Sequence, residues 1–512
     1  MTPLWRVGGH GMTSIASFLG ARKLEKFKSV QNGLQLIVMA NKNSKSLAQK
    51  TKSGFTWLLS GSAVQAMMRV LFTAVLARLL TPADFGLLAS AMIVIGFADL
   101  FSQMGIGPAL VQTKELTEEK VSTAFTFSIG LGIGLVIFFL LINPLITLFF
   151  KMPSLLPILN VLVFLFPIRS FTQISFSLLQ RKFEFKKLAG LDVISYTIGY
   201  GGVGISLAYI GYGVWALVYG VLAQSIIYSI LLYWRKPHRL ITGLNKNTLK
   251  ELMAFGKGFT LANFFNYLAI KGDYLVVGKI LGAESLGFYS RAYGLMNAPN
   301  NIVGKVINTV MFSNFSEIQG DREQLTKTIA NSFELLFLFI IPVSGMSWLL
   351  APEIVHVLLG EKWGAVILPF RILTIGMVFR LGYKVGGSFL RGVGRVNMHA
   401  RIQFIYLFFV LIGSILGSNL YGIIGVAIAI DIALFINFVL LFIQVIKYTN
   451  YNWLSFSKVL VMPSILTIGL LVINVLIKDL LNDLEASPFL LLSSLGVFNI
   501  LIFTGIRYLN II

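Results

Sequence analysis

The chain has 512 residues, 56% of them hydrophobic and only 12% charged, whereas soluble domains carry about 25% charged residues. Apolar windows longer than about 18 residues recur from Phe55 to Leu509, which excludes an ordinary soluble core and makes this an all-α polytopic membrane protein. The formal net charge is +21, and the absence of cysteine excludes disulfides, thiolate catalysis and cysteine-ligated metals.

Residues 1–53 are basic and polar, with Arg22, Lys23, Lys26, Lys28, Lys42, Lys45, Lys50 and Lys52. The apolar stretch Leu34–Ala40 is too short to span and no small-residue cleavage site follows an apolar region, so the segment reads as a disordered cytoplasmic tail rather than a signal peptide. Met39 is an alternative start, because MANKNSKSLAQKTKSG is an ordinary preamble to a first membrane helix.

Fourteen spans follow, at 55–78, 85–111, 121–149, 155–179, 188–209, 213–234, 254–279, 287–315, 329–350, 365–390, 398–418, 421–446, 456–477 and 488–508. They divide into an N-lobe of six helices (54–235), a cytoplasmic linker (236–253), a C-lobe of six helices (254–447) and an appended C-terminal helix pair (448–512). Lysine and arginine concentrate in the tail and in alternate connections, such as Arg181–Lys187 and Arg391–Arg401, while the intervening ones are short or acidic. That is the positive-inside pattern: it places both termini in the cytoplasm, and it explains the net charge without a nucleic-acid partner. The four histidines (His10, His238, His356 and His399) have no ligand spacing, so neither a metal nor another cofactor is expected.

One phrase occurs twice. Leu76–Leu88 reads LARLLTPADFGLL and Val277–Tyr289 reads VGKILGAESLGFY, aligned at a constant offset. Each copy ends one apolar helix and starts the next, with a helix-breaking hinge and an acid between. Arg78 and Lys279 occupy matching positions from which a long basic side chain reaches the headgroups. An internally duplicated transporter, its halves related by an axis along the membrane normal, has this signature.

Glycine is abundant, with close pairs at Gly130/Gly134, Gly278/Gly282, Gly382/Gly386 and Gly413/Gly417 that suit close helix approach. Pro144, Pro157, Pro167, Pro299, Pro342 and Pro369 fall in or near spans and are expected to kink them.

Charges within the spans are costly, at least ~2.5 kcal/mol each at the bilayer centre, and therefore face a cavity or a partner. The cations are Arg69, Arg169, Lys271, Arg291, Lys305, Arg371, Arg380 and Lys384; the acids are Asp99, Asp192, Asp273 and Asp431, with Glu334 close to an end. Deep cations exceed acids, and a cationic surplus in a hydrated cavity attracts an anion. Arg69, Lys271, Asp273, Arg291, Lys305, Arg380 and Lys384 are the candidate substrate site, with guanidinium forks suited to phosphate oxygens. Asp99 and Asp431 are candidates for ion coupling.

The ordered series LARLLTPADFG, GIGPALVQTKELTEEKVSTAF (105–125), QRKFEFKKLA (180–189), GYGVWALVYG (211–220), DYLVVGKILGAESLGFYSRAYGLMNAP (273–299) and FSEIQGD (315–321) resembles the polysaccharide-export, or oligosaccharide flippase, branch of the multidrug/oligosaccharidyl-lipid/polysaccharide superfamily. The teichuronic and colanic acid type transporters are its nearest likeness, over about Lys52 to Tyr448. The resemblance implies a flippase that carries an undecaprenyl-diphosphate-linked oligosaccharide across a bacterial plasma membrane by alternating access, with membrane lipid around it and a polysaccharide polymerase as a possible partner. It implies no enzyme. It also implies essential cations on the early helices of each lobe, where Arg69, Lys271 and Arg291 stand; Arg380 and Lys384 rest on the charge argument alone. The alternatives are a cation-coupled multidrug exporter of the same superfamily, favoured by Asp99 and Asp431, and a membrane polysaccharide polymerase or ligase, which ordinarily needs a large outer loop that is not found here.

Overall fold

Lipid offers no hydrogen bonds, so each apolar run must satisfy its own backbone. A computed structural model describes residues 64–103, 105–113, 115–237, 243–307 and 311–483, without the side chains of 103, 254–263, 301–302, 305–306 and 480–483. The basic tail, Met39 and the fourteenth expected span lie outside the described residues. Among the described residues there is no strand, and nine helices are long and apolar enough to cross a membrane.

In chain order the helices are α1 (residues 64–79), α2 (Pro82–Gln103), α3 (Ile106–Gln112), α4 (Glu118–Phe150), α5 (Leu155–Leu162), α6 (Leu165–Arg181) and α7 (Phe185–Tyr196). A π-helical stretch, Thr197–Gly204, runs on into α8 (Ile205–Tyr209), followed by α9 (Val214–Arg235), α10 (Lys246–Val306), α11 (Phe312–Glu317), α12 (Arg322–Leu349) and α13 (Ala351–Leu358). A 3₁₀ turn at Glu361–Val366 leads into α14 (Ile367–Gly392), then α15 (Val396–Tyr448) and α16 (Trp453–Asp483). Two helices each contain a pair of expected spans. Gly282, at φ 86°, breaks α10, and Gly422, at φ 58°, breaks α15; both lie in the left-handed region that glycine enters at little cost.

The helices turn apolar side chains to lipid and polar ones inward. On α4, Ile137, Leu141, Leu145 and Leu148 are exposed, whereas Asn143 and Thr147 are buried, and Asn143 donates to Asn160 at 2.9 Å. Pro157, Pro167 and Pro369 sit in the first turns of α5, α6 and α14, where the missing N–H has no partner to lose, so they start helices and do not kink them. Pro144, Pro299 and Pro342 are interior. Gly413 and Gly417 lie close against Ala429 and Gly425 across the α15 break, but Gly130 and Gly134 face open space.

The expected linker is partly helical. Asn245 caps α10 by accepting from the amides of Asn247 and Thr248, so the helix begins ahead of the expected span. Its first turns are fastened to the start of α4 by Lys120–Glu251 at 2.8 Å and by Thr248 donating to Glu119 at 2.8 Å.

The two copies of the repeated phrase touch each other. A β-carbon built at Gly86 would fall 1.6 Å from the Ala283 carbonyl oxygen, and one at Gly287 would fall 1.8 Å from that of Pro82. The pairs are equivalent under the offset that aligns the copies, so the contact is reciprocal, with Pro82-xxx-Gly86 facing Ala283-xxx-Gly287 as a small-xxx-small crossing. The matching basic residues are reciprocal too. Arg78 donates to the Val357 carbonyl at 2.8 Å near the end of α13, and Lys279 donates to the Phe149 carbonyl at the end of α4. Instead of only reaching for headgroups, both cap carbonyls at helix C-termini, where the dipole favours a cation.

The segment 351–366 covers this junction. Trp363 is fully buried, donates to the Ala77 carbonyl at 2.9 Å, and packs edge-on against Phe85 and Phe288, one from each copy. The segment is tied in turn to α16 by Lys478–Glu353 at 2.6 Å, with Glu353 buried. Lys478→Met is therefore expected to cost about 3 kcal/mol, because it strands a buried carboxylate. Thermal unfolding in detergent checks this, and adding Glu353→Gln should recover most of the loss.

Candidate functional site

The break at Gly282 folds α10 back on itself, so residues on either side of it meet. Tyr274, before the break, packs edge-on against Tyr289 and Tyr293, after it, at 5.6 and 5.3 Å. Asp273, 1% exposed, accepts from the Tyr289 hydroxyl at 2.7 Å and from the Tyr274 amide at 2.9 Å. Helices α14 and α15 close the cluster: Arg380 lies over the Tyr293 ring at 4.7 Å, and Tyr383 tilts against Tyr406.

Four candidate cations are held by aromatic faces. Lys271 sits 4.1 Å above Tyr274, Arg291 lies 4.6 Å above Phe85, Arg380 covers Tyr293, and Arg69 is 5.5 Å from Tyr196. A ring face attracts a cation without neutralising it. Among the described residues, none of the four forms an ion pair. Arg380, 5% exposed, has a buried Nη1 with no acceptor, and Nε of Arg291 is likewise buried and unmatched. A buried donor left empty costs about 1–3 kcal/mol, more for a charged group, so these two guanidinium groups are poised for an incoming oxygen.

The structure brings Asp273, Arg380 and Arg291 within electrostatic reach of Lys271, and Asp273 within reach of Arg380 as well. Lys384 adjoins the cluster, one turn from Arg380 on α14, with its ammonium 3.4 Å from the Asn300 carbonyl. Arg69 is more exposed and joins through Tyr196 and Tyr200, which lie within reach of both Arg69 and Arg291. The side chain of Lys305 lies outside the described residues.

The two acids proposed for ion coupling differ. Asp99 is paired with Arg169 and accepts from Ser102, apart from the cationic cluster. Asp431 on α15 accepts from the Gly376 amide at 3.2 Å, its other oxygen is buried without a partner, and Arg380 is within reach. Gly376 makes room for it, since a β-carbon there would fall 1.9 Å from that oxygen.

Sequence reasoning overlooked the tyrosines. Their signal was local, because a tyrosine lies within three residues of Lys271, Arg291, Arg380 and Lys384.

Comparison with known proteins adds family evidence to this geometry. A family model described as polysaccharide biosynthesis protein matches residues 75–368. The lipopolysaccharide biosynthesis protein WzxC of Escherichia coli strain K12 is 26% identical over 405 residues, covering 78% of this chain and 82% of that protein. The teichuronic acid biosynthesis protein TuaB of Bacillus subtilis strain 168 is 24% identical over 358 residues, covering 69% and 73%. Among solved structures, the lipid II flippase MurJ in an inward closed conformation superposes with a TM-score of 0.70 at 18% identity, covering 89% of this chain and 99% of that one.

Proposed function

The chain belongs to the polysaccharide biosynthesis protein family, and from that premise we propose that it is a flippase translocating a lipid-diphosphate-linked oligosaccharide for cell-surface polysaccharide export. The observation that carries this reading is the pair Arg380, buried, and Arg291, partly exposed with a buried Nε, whose unmatched donors have no carboxylate partner among the described residues. A drug exporter selecting organic cations needs the opposite field.

In this mechanism the diphosphate binds to Arg291, Arg380 and Lys271, with Lys384 and Arg69 extending the positive field. Arg supplies a bidentate fork and Lys a point charge. The glycan occupies the hydrated space beside the cations. The prenyl tail, long and apolar, remains in lipid and trails between helices. The six-helix lobes 54–235 and 254–447 move against each other in alternating access, and the reciprocal contact at Gly86 and Gly287 is the closed position of one face. Asp431, with its unmatched oxygen, is the better candidate for ion coupling than Asp99, whose charge is taken by Arg169. The positive-inside pattern supports cytoplasmic termini, the similarity to WzxC and TuaB supports a bacterial plasma-membrane location, and a polymerase working on the delivered glycan is the natural partner.

Binding of a polyprenyl diphosphate to the purified protein, compared with the same prenol lacking phosphate, tests the site. Wild type is expected to require the diphosphate, and Arg69→Ala to weaken binding about tenfold by removing one charge from the field that attracts it. Binding indifferent to phosphate would refute the reading.

A further inference from the structure

We propose that Tyr289 and Tyr274 are positioning residues that keep Asp273 from neutralising the cations around it, so that the site stays open to a phosphate. This rests on the flippase reading above and assigns a role to residues that touch the acid rather than the substrate.

Asp273 is the carboxylate at the heart of the cluster, 1% exposed, with Lys271 and Arg380 both within electrostatic reach. Lys271, two positions along the same helix, does not face it, but an acid placed so would ordinarily capture Arg380, since two unit charges at 4 Å attract by about 4 kcal/mol at an effective dielectric of 20. It does not. Its Oδ2 accepts from the Tyr289 phenol at 2.7 Å and its Oδ1 from the Tyr274 amide at 2.9 Å. Both donors are neutral, so the carboxylate is satisfied and no cation is consumed.

The cations are drawn away in the same stroke. Lys271 is turned onto the face of Tyr274, and Arg380 onto the face of Tyr293. These rings are mutually packed, with Tyr289 and Tyr293 at 5.9 Å, and Tyr289 is fully buried. The phenol thus has a fixed aim, set by the Gly282 break that folds the two halves of α10 together. An acid–base pair in this position would force the diphosphate to break a buried ion pair before binding, whereas a cation resting on a ring is released at a smaller cost.

The test uses the full chain and a polyprenyl diphosphate probe against the matching prenol. Tyr289→Phe keeps the ring and its packing and removes only the hydroxyl. The variant is expected to bind the diphosphate about tenfold more weakly, although no cation has changed. Adding Asp273→Asn should restore binding to the wild-type level, because the released competitor is gone; Asp273→Ala carries the same test should the Asn variant fail to fold. A purely structural tyrosine would not be rescued in this way. Wild-type affinity in Tyr289→Phe, or weakened binding that neither change at Asp273 restores, would overturn the proposal while leaving the phosphate site intact. Wild type binding the prenol as well as the diphosphate would instead remove the flippase reading on which it stands.

Discussion

Arg291→Gln and Arg380→Gln will each reduce transport about 100-fold or more while the protein stays folded. Losing one partner of a buried, hydrogen-bonded charge pair costs about 2–5 kcal/mol, and in the proposed mechanism the diphosphate is the partner of both side chains. Without substrate they are a burden to the fold: Arg380 is 5% exposed with an unmatched Nη1, and Nε of Arg291 is buried without an acceptor. Glutamine removes the buried charge, so the thermal midpoint of each variant should equal or exceed that of wild type. Loss of activity together with unchanged or raised stability is what separates a binding group from a structural one. Accumulation of lipid-linked glycan in the inner leaflet of cells measures the first quantity, and a melt in detergent the second. Near-wild-type transport by both variants would sink the assignment.

Gly287→Leu, and by reciprocity Gly86→Leu, will lock the transporter away from the state described here. The β-carbon alone would lie 1.8 or 1.6 Å from a backbone oxygen, a clash that no rotamer relieves. Overpacking a tight contact costs about 3 kcal/mol or more, which shifts a two-state equilibrium about 100-fold toward separation of the copies. The expected result is a folded protein that cycles poorly. The absence of cysteine makes the measurement clean. A single Ser90→Cys, at a fully buried position on α2, should resist a membrane-impermeant maleimide in the parent protein and react in the Gly287→Leu background. Equal protection in both would show that the glycine contact does not gate access. Because the two contacts are mates, Gly86→Leu should reproduce the effect in kind.

Much of the fold was legible in the chain itself. Span length and hydropathy are local, and lipid enforces helix wherever the backbone must satisfy itself, so Phe55–Leu509 could be divided into helices without knowing what they touch. The break at Gly282 fell between two expected spans and that at Gly422 one residue inside the start of the twelfth, each at a glycine because positive φ favours it. The prolines were read less well. Pro157, Pro167 and Pro369 have the composition of kinks but the position of helix starts, and the register of a helix against a proline depends on where the preceding turn ends.

The sequence by itself determined that this is a duplicated, many-span membrane protein with a surplus of deep cations, because cost in lipid is paid residue by residue. It also singled out the repeated phrase, though not that its two copies press against each other at Gly86 and Gly287. Only the tertiary structure decided which charges meet. Asp99 went to Arg169, 70 positions away, whereas Asp273 passed over Lys271, two positions along the helix, for the hydroxyl of Tyr289. Pairing in a low-dielectric interior is set by distance and hydrogen-bond geometry across helices, and linear spacing encodes neither. The tyrosines that keep the cations available were therefore visible as letters beside each charge and became interpretable only once the helix was folded back on itself.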